Sequence, residues 1–158
     1  DQKLFEYIVL DTFQAGLSWQ IILRKRENFR HAFDNFNTVK IARYTEAKLA
    51  KLMTDSGIIR NRLKIKGTVK NAQSFLKIQK EFGSFSKYLW SFVDHQPIIH
   101  KLQKDSQIAS SNRESDTLSQ DLKKRGFTFV GTTICYAFMQ GAGLINDHLT
   151  TCFRYSKD

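Results

Sequence analysis

Residues 49–72 read LAKLMTDSGIIRNRLKIKGTVKNA. Leu49, Leu52 and Met53 recur at helical spacing, Gly57 interrupts at a turn, and a second helical run opens in a basic cluster. From Arg60 to Lys80 there are seven basic residues, Arg60, Arg62, Lys64, Lys66, Lys70, Lys77 and Lys80, and no acid. A tight turn of this kind exposes backbone N–H groups at the start of the second helix. Those donors, with the positive end of the helix dipole, can hold a phosphate. Neighbouring Arg and Lys side chains add neutralisation that carries no sequence information. Gly57, Ile59, Arg60, Arg62 and Lys64 are therefore candidate DNA-backbone contacts of a helix-hairpin-helix. On this segment alone, an ordinary helical hairpin with a solvated basic face accounts for the same residues.

Outward from this hairpin the period stays helical. Leu4, Phe5, Ile8 and Val9 share one face of a first helix, which Gly16 ends. Ser18 is positioned to cap a second helix running through Trp19, Ile22 and Leu23 to Phe29 and Phe33. Thr38 and Thr45 are candidate caps of two short helices. After the hairpin turn, Leu63, Val69, Ala72, Phe75 and Leu76 form the expected apolar stripe of a long helix. Ser84 is a cap for a helix through Tyr88, Leu89 and Phe92, and Pro97 ends that element. Residues 101–114 are polar and Ser-rich, and read as a mobile surface loop. Ser115 then caps SDTLSQDLKKRG, with Gly126 as its stop. A last helix is expected from Thr132 to Gly143. FTFVG is β-like but too isolated to build a sheet. The predicted fold is all-α: one helical domain over 1–158 containing a helix-hairpin-helix motif.

Composition agrees with a folded, basic domain. Of the 158 residues 41% are hydrophobic and 13% aromatic, which is enough apolar surface for a core. Twenty-five Lys+Arg against 15 Asp+Glu leave a net charge of +10, which points to a polyanionic partner or to charge serving solubility alone. Two cysteines, Cys135 and Cys152, make no disulfide framework. No apolar run approaches the ~18 residues of a membrane span, and no signal peptide is visible. The chain opens on DQKLFEYIVLDTF, already helical, without an initiator Met or a capping lead-in, so an N-terminal segment is expected upstream of Asp1.

The strings beyond the hairpin are specific. DTFQAGLSWQIILRKRENFR (11–30), DSGIIRNRLKI (55–65), WSFVDHQP (90–97), LKKRGFTFVGTTICYAFMQGAGLINDH (122–148) and HLTTC (148–152) occur in this order. Together they resemble the DNA-3-methyladenine glycosylase I family, over essentially the whole chain. The resemblance implies an enzyme of the helix-hairpin-helix glycosylase superfamily with a small structural zinc site. Such enzymes hydrolyse the N-glycosidic bond of 3-methyladenine in alkylated double-stranded DNA. It also implies a monomer in the bacterial cytoplasm with no membrane partner.

The chemistry of that reaction names the residues it needs. A base methylated at N3 is a cation whose glycosidic bond is already weak. The enzyme must flip the nucleotide out, recognise the base and admit a water. A carboxylate can accept hydrogen bonds from the exocyclic amine and favour the cation, and an aromatic face attracts it. The family carboxylate is a Glu just before FQAGLSW. Asp11 stands there, with the same charge and one methylene less, and Thr12 stands where the family usually has Gly. Without the motif, Asp11 would be read as a helix-terminal carboxylate or an ion-pair partner. The resemblance implies that Trp19 stacks on the extruded base, with Phe13 beside it. It also implies that Gln14, Ala15, Gly16 and Leu17 form the turn that probes the duplex, where Leu17 can fill the gap left by the flipped nucleotide. Core packing for Trp19, and a plain interhelical turn with one buried Leu for 14–17, are the competing readings.

His148 and Cys152 are spaced i, i+4, which on a helix would put both in reach of one zinc ion. In the family the other two ligands come from the N-terminal segment expected upstream. Zinc is therefore expected in the full-length protein and weak or absent in this chain. Cys135 reads as a buried helical residue, and His31, His95 and His100 as surface or structural. Two other functions remain open on sequence: a non-catalytic helix-hairpin-helix module that binds damaged DNA, and a basic helical interaction domain. The last leaves QAGLSW unexplained.

Overall fold

The computed structural model describes residues 1–155. Its centre is the helix α1 (Gln2–Gln14), which packs against both the long hairpin helix and the last helix. Phe5, Ile8, Val9, Leu10 and Phe13 are all buried, so α1 has little polar face to give away. Gly16 ends it at φ +83°, a conformation that costs a residue with a Cβ.

Ser18 accepts a hydrogen bond from the Ile21 amide and starts α2 (Trp19–Arg24). The single helix expected through Phe33 breaks at Lys25, and α3 (Arg26–Ala32) follows. Lys25 is drawn across to the hairpin turn, where its ammonium donates to the carbonyls of Ser56 (2.9 Å) and Gly57 (3.3 Å). Next come a 3-10 turn (Asp34–Phe36), α4 (Thr38–Ile41) and α5 (Glu46–Thr54). Thr45 caps α5 as expected, but Asn37 rather than Thr38 caps α4.

The hairpin is real as geometry: α5, a turn over 55–61, then α6 (Arg62–Phe82). Its buried stripe differs from the one predicted. Ile65, Thr68, Ala72, Phe75 and Ile78 face the core, while Leu63 is 70% exposed. Small and polar residues were overlooked on this face. At Gly67 an added Cβ would meet Thr128 Oγ1 at 2.7 Å and the Phe129 ring at 3.0 Å. Asn71 exchanges two hydrogen bonds with the Thr128 backbone (2.8 and 3.1 Å). FTFVG is thus a tight loop pinned to α6, not a strand.

Ser84 caps α7 (Phe85–Trp90), and a 3-10 turn (Ser91–Val93) follows. Among the described residues the sheet content is two short parallel strands, β1 (Ile98–Ile99) and β2 (Ile145–Asn146), extended by a bridge between Leu102 and Leu149. The stretch 101–114, expected as a loop, holds that bridge and a 3-10 turn at Asp105–Gln107, and its last two residues already belong to α8 (Arg113–Lys124). Asn112, not Ser115, is the N-cap. The two form a reciprocal capping box, with Ser115 at the third position. Gly126 stops α8 at φ +94°. α9 (Thr132–Gly141) ends two residues earlier than predicted and packs on α1 and α8.

Candidate functional site

Four helices border a pocket of about 300 Å³. Tyr7, Leu10 and Asp11 line it from α1, Trp19 and Leu23 from α2, Arg26 from the start of α3, and Ala137 and Gly141 from α9. The spacing follows from helix geometry. Tyr7 and Asp11, Trp19 and Leu23, and Ala137 and Gly141 are each i, i+4 pairs on one helix face. Ala137 and Gly141 project little, which leaves the space that the aromatic residues border.

Asp11 is the group with unusual chemistry. It is 4% exposed, and among the described residues no side chain or amide donates to its carboxylate. Burial alone pushes its pKa from the ordinary 3.8 up to about 7. A carboxylate left bare in a pocket is costly unless a ligand completes it. Its neighbour Thr12 is fully buried, and its hydroxyl finds no partner among the described residues either. Trp19, at the first turn of α2, is 40% exposed and open to the pocket rather than packed in the core.

Arg26, which also lines the pocket, is fixed by Glu6. Glu6 is 4% exposed, and its Oε1 accepts from Arg26 Nε at 2.6 Å. Arg30 adds bonds to both oxygens at 3.3 and 3.4 Å. Burial would raise the Glu6 pKa, but the hydrogen bonds from Arg26 and Arg30 and the charges of Arg26 and Lys3 hold it below the usual value.

Two predicted site residues move. Phe13 does not reach the pocket. It is fully buried and packs edge-on against Phe29 (4.8 Å between centroids) and Phe33 (5.9 Å), because the face of α1 that carries it points away from Asp11. Lys64 is not a surface cation for phosphate. It is 8% exposed, and its ammonium donates to the carbonyls of Ala15 (2.6 Å) and Phe13 (3.2 Å).

The remaining candidates lie in the 55–61 turn, at the start of α6 and in the 14–17 turn. Arg60 and Arg62 are exposed. Asp55 Oδ1 takes the Gly57 amide at 2.7 Å, so Gly57 shapes the turn rather than offering a donor. Asn61 Oδ1 takes the amides of Leu63 and Lys64, both at 3.1 Å. The amides of Ile59, Arg60 and Arg62 have no acceptor among the described residues. The 14–17 turn is closed on itself. The Leu17 amide donates to the Gln14 carbonyl and Gln14 Nε2 donates to the Leu17 carbonyl, both at 2.7 Å. Gly16 is exposed, and Leu17 is half-buried against the core.

His148 and Cys152 do meet, but through a turn rather than a helix, with Cys152 Sγ 3.7 Å from His148 Nδ1. A tetrahedral zinc with sulfur at about 2.3 Å and nitrogen at about 2.05 Å holds those atoms about 3.6 Å apart, so the pair fits two corners of such a site. Among the described residues no group of three His, Cys, Asp or Glu gathers to hold a metal. Cys135 is no substitute: burial pushes its thiol up to about 12, and its sulfur donates to the Val130 carbonyl. Nor is any described helix long and apolar enough to cross a membrane.

Sequence reasoning missed Tyr7, Leu10, Leu23, Arg26, Ala137 and Gly141. The signal was present for three of them, since Tyr7 lies one helical turn before Asp11, and Leu23 and Arg26 lie one and two turns after Trp19.

The methyladenine glycosylase family model matches residues 1–155. DNA-3-methyladenine glycosylase 1 of Escherichia coli (strain K12) is 49% identical over 154 residues, which is 98% of this chain and 82% of the relative. The DNA-3-methyladenine glycosylase of Haemophilus influenzae is 47% identical over 151 residues, 96% of this chain and 82% of that one. A crystal structure of 3-methyladenine DNA glycosylase I superposes with a TM-score of 0.95 at 48% identity, covering 98% of this chain and 85% of the other. The Staphylococcus aureus enzyme, solved for its recognition of 3-methyladenine, gives 0.96 at 37% identity, covering 99% and 84%. This chain belongs to the methyladenine glycosylase family.

Proposed function

We propose that this protein is a base-excision repair glycosylase that hydrolyses the N-glycosidic bond of 3-methyladenine in alkylated double-stranded DNA. The observation that carries this is the bare, buried carboxylate of Asp11 in a pocket walled by Trp19 and Tyr7. A cationic purine supplies what that carboxylate lacks. Its exocyclic amine donates to an oxygen, its charge favours the ionised acid, and its face attracts the indole. Water then adds to C1′, the C1′–N9 bond breaks, the base leaves neutral with the bonding electrons, and the water's proton is released.

Reaching that state requires the nucleotide to leave the stack. Arg60 and Arg62, with the free amides of Ile59, Arg60 and Arg62, form a phosphate cradle of the helix-hairpin-helix kind. Leu17, in the exposed turn ahead of α2, fills the vacated gap. His148 and Cys152 supply two donors of a structural zinc site, and zinc there would fix the C-terminal turn. The working form is a monomer in the bacterial cytoplasm. Its relatives named above are bacterial.

Release of free 3-methyladenine from methylated duplex DNA, measured by chromatography, tests this. Release above the spontaneous rate, abolished by Asp11→Asn, is expected. No release with salt-sensitive DNA binding intact would replace it by the non-catalytic module, a reading that the shorter reach of Asp relative to Glu favours.

A further inference from the structure

Two parts of the molecule that must act on DNA together are joined at one side chain. α6 begins beside Arg60 and Arg62, and α1 ends beside Asp11 and the 14–17 turn. Lys64 touches both. Its amide donates to Asn61 Oδ1 at 3.1 Å, inside the capped first turn of α6. Its ammonium crosses 49 and 51 residues of sequence to the carbonyls of Ala15 (2.6 Å) and Phe13 (3.2 Å). Carbonyls at a helix C-terminus have no helical donor left, and the dipole there favours a cation.

Every other hydrogen bond of residues 14–17 stays within α1 and the turn itself, so among the described residues Lys64 is their hydrogen-bonded tie to another helix. The ammonium is not there for electrostatics on the acid. Burial lowers the Lys64 pKa with no carboxylate contributing, and Lys64 contributes nothing to the shift of Asp11.

We propose that Lys64 is a positioning residue that locks the 14–17 turn to the hairpin, so that a hairpin seated on the DNA backbone sets where Leu17 and Asp11 meet an extruded nucleotide. The proposal rests on the functional reading above. It explains why a lysine from a basic cluster is turned inward while Arg60 and Arg62 stay in solvent.

The test compares the unmodified protein with Lys64→Met and Lys64→Arg in two measurements. Amide hydrogen exchange in the free protein should speed up by about 10-fold over residues 12–18 in Lys64→Met, with α6 beyond its first turn unchanged and Lys64→Arg intermediate. Affinity for a duplex with a tetrahydrofuran abasic analogue, relative to undamaged duplex, should fall about 10-fold in Lys64→Met, with undamaged affinity kept within about 3-fold. Unchanged exchange over 12–18 overturns the tether. Loosened exchange with an intact abasic preference overturns its use, and an equal fall of both affinities makes Lys64 a backbone contact instead. If the unmodified protein shows no abasic preference, the functional reading fails, and the exchange measurement still decides the tether.

Discussion

Glu6 and Asp11 lie on the same helix, five residues apart, and each is 4% exposed. Their surroundings could hardly differ more. Arg26, Arg30 and Lys3 surround Glu6 and keep it ionised, whereas among the described residues nothing donates to Asp11 and burial pushes it up to about 7. One buried acid is built into the structure, and the other is left incomplete. A folded protein tolerates an unsatisfied buried charge where function uses it, and the pocket opens at the unsatisfied one.

The largest way to break this contrast is Asp11→Asn. Excision should fall by about 100-fold or more, the scale of losing a positioned acid–base group. Stability at pH 8 should stay level or rise by about 1–3 kcal/mol, because a bare buried charge is removed. Single-turnover release and thermal unfolding together check both. Glu6→Gln should do the reverse. It should cost about 2–3 kcal/mol in chemical denaturation, short of the roughly 3–5 of a fully buried pair because Arg26 and Arg30 keep 30% and 33% of their side chains in solvent. Excision should drop only a few-fold, through loosening of Arg26 on the pocket wall.

The two acids also respond oppositely to pH. The folded pKa of Asp11 lies above its ordinary 3.8, so between about 4 and 7 the folded chain holds a proton that the unfolded chain has lost. Its contribution to stability therefore declines as pH rises through that window. Glu6 is depressed, so its contribution is present above the ordinary carboxylate value and is lost as pH falls through its lower folded value. Unfolding free energies measured from pH 3 to 8 should show an acid limb that Glu6→Gln makes shallower, the depressed Asp34, Asp121 and Asp147 supplying the rest, and that Asp11→Asn leaves.

Smaller effects lie away from α1. Arg62→Ala should weaken binding to all duplexes alike and reduce the slope of log affinity against log salt by about 0.9, one phosphate contact. Smallest is the metal. The 158-residue chain should retain zinc well below one equivalent after dialysis, because His148 and Cys152 offer two of the usual four ligands.

Much of this was legible in the sequence. Caps and stops at Ser18, Thr45, Ser84 and Gly126 depend on local backbone chemistry, and they held. The hairpin is present for the same reason, since its turn and spacing are local, and Asp11 and Trp19 line one pocket. What failed depends on which way a helix face turns. Phe13 and Lys64 look like surface or site residues in one dimension, and only the packing of α1 against α3 and α6 turns them inward. Thr68 and Asn71 are core residues that no hydrophobic pattern marks. The His148–Cys152 pair was found for the wrong local reason, because a turn brings i and i+4 together as well as a helix does.

The central claim is that an ionised, otherwise unpartnered Asp11 recognises the cationic base. The most direct measurement is the pH dependence of kcat/KM for 3-methyladenine release from methylated duplex, which reports groups of the free enzyme. The account predicts a rise with its midpoint near pH 7 and a plateau above about pH 8 that is absent in Asp11→Asn. A flat profile over that range, or one that Asp11→Asn reproduces at full rate, would contradict it.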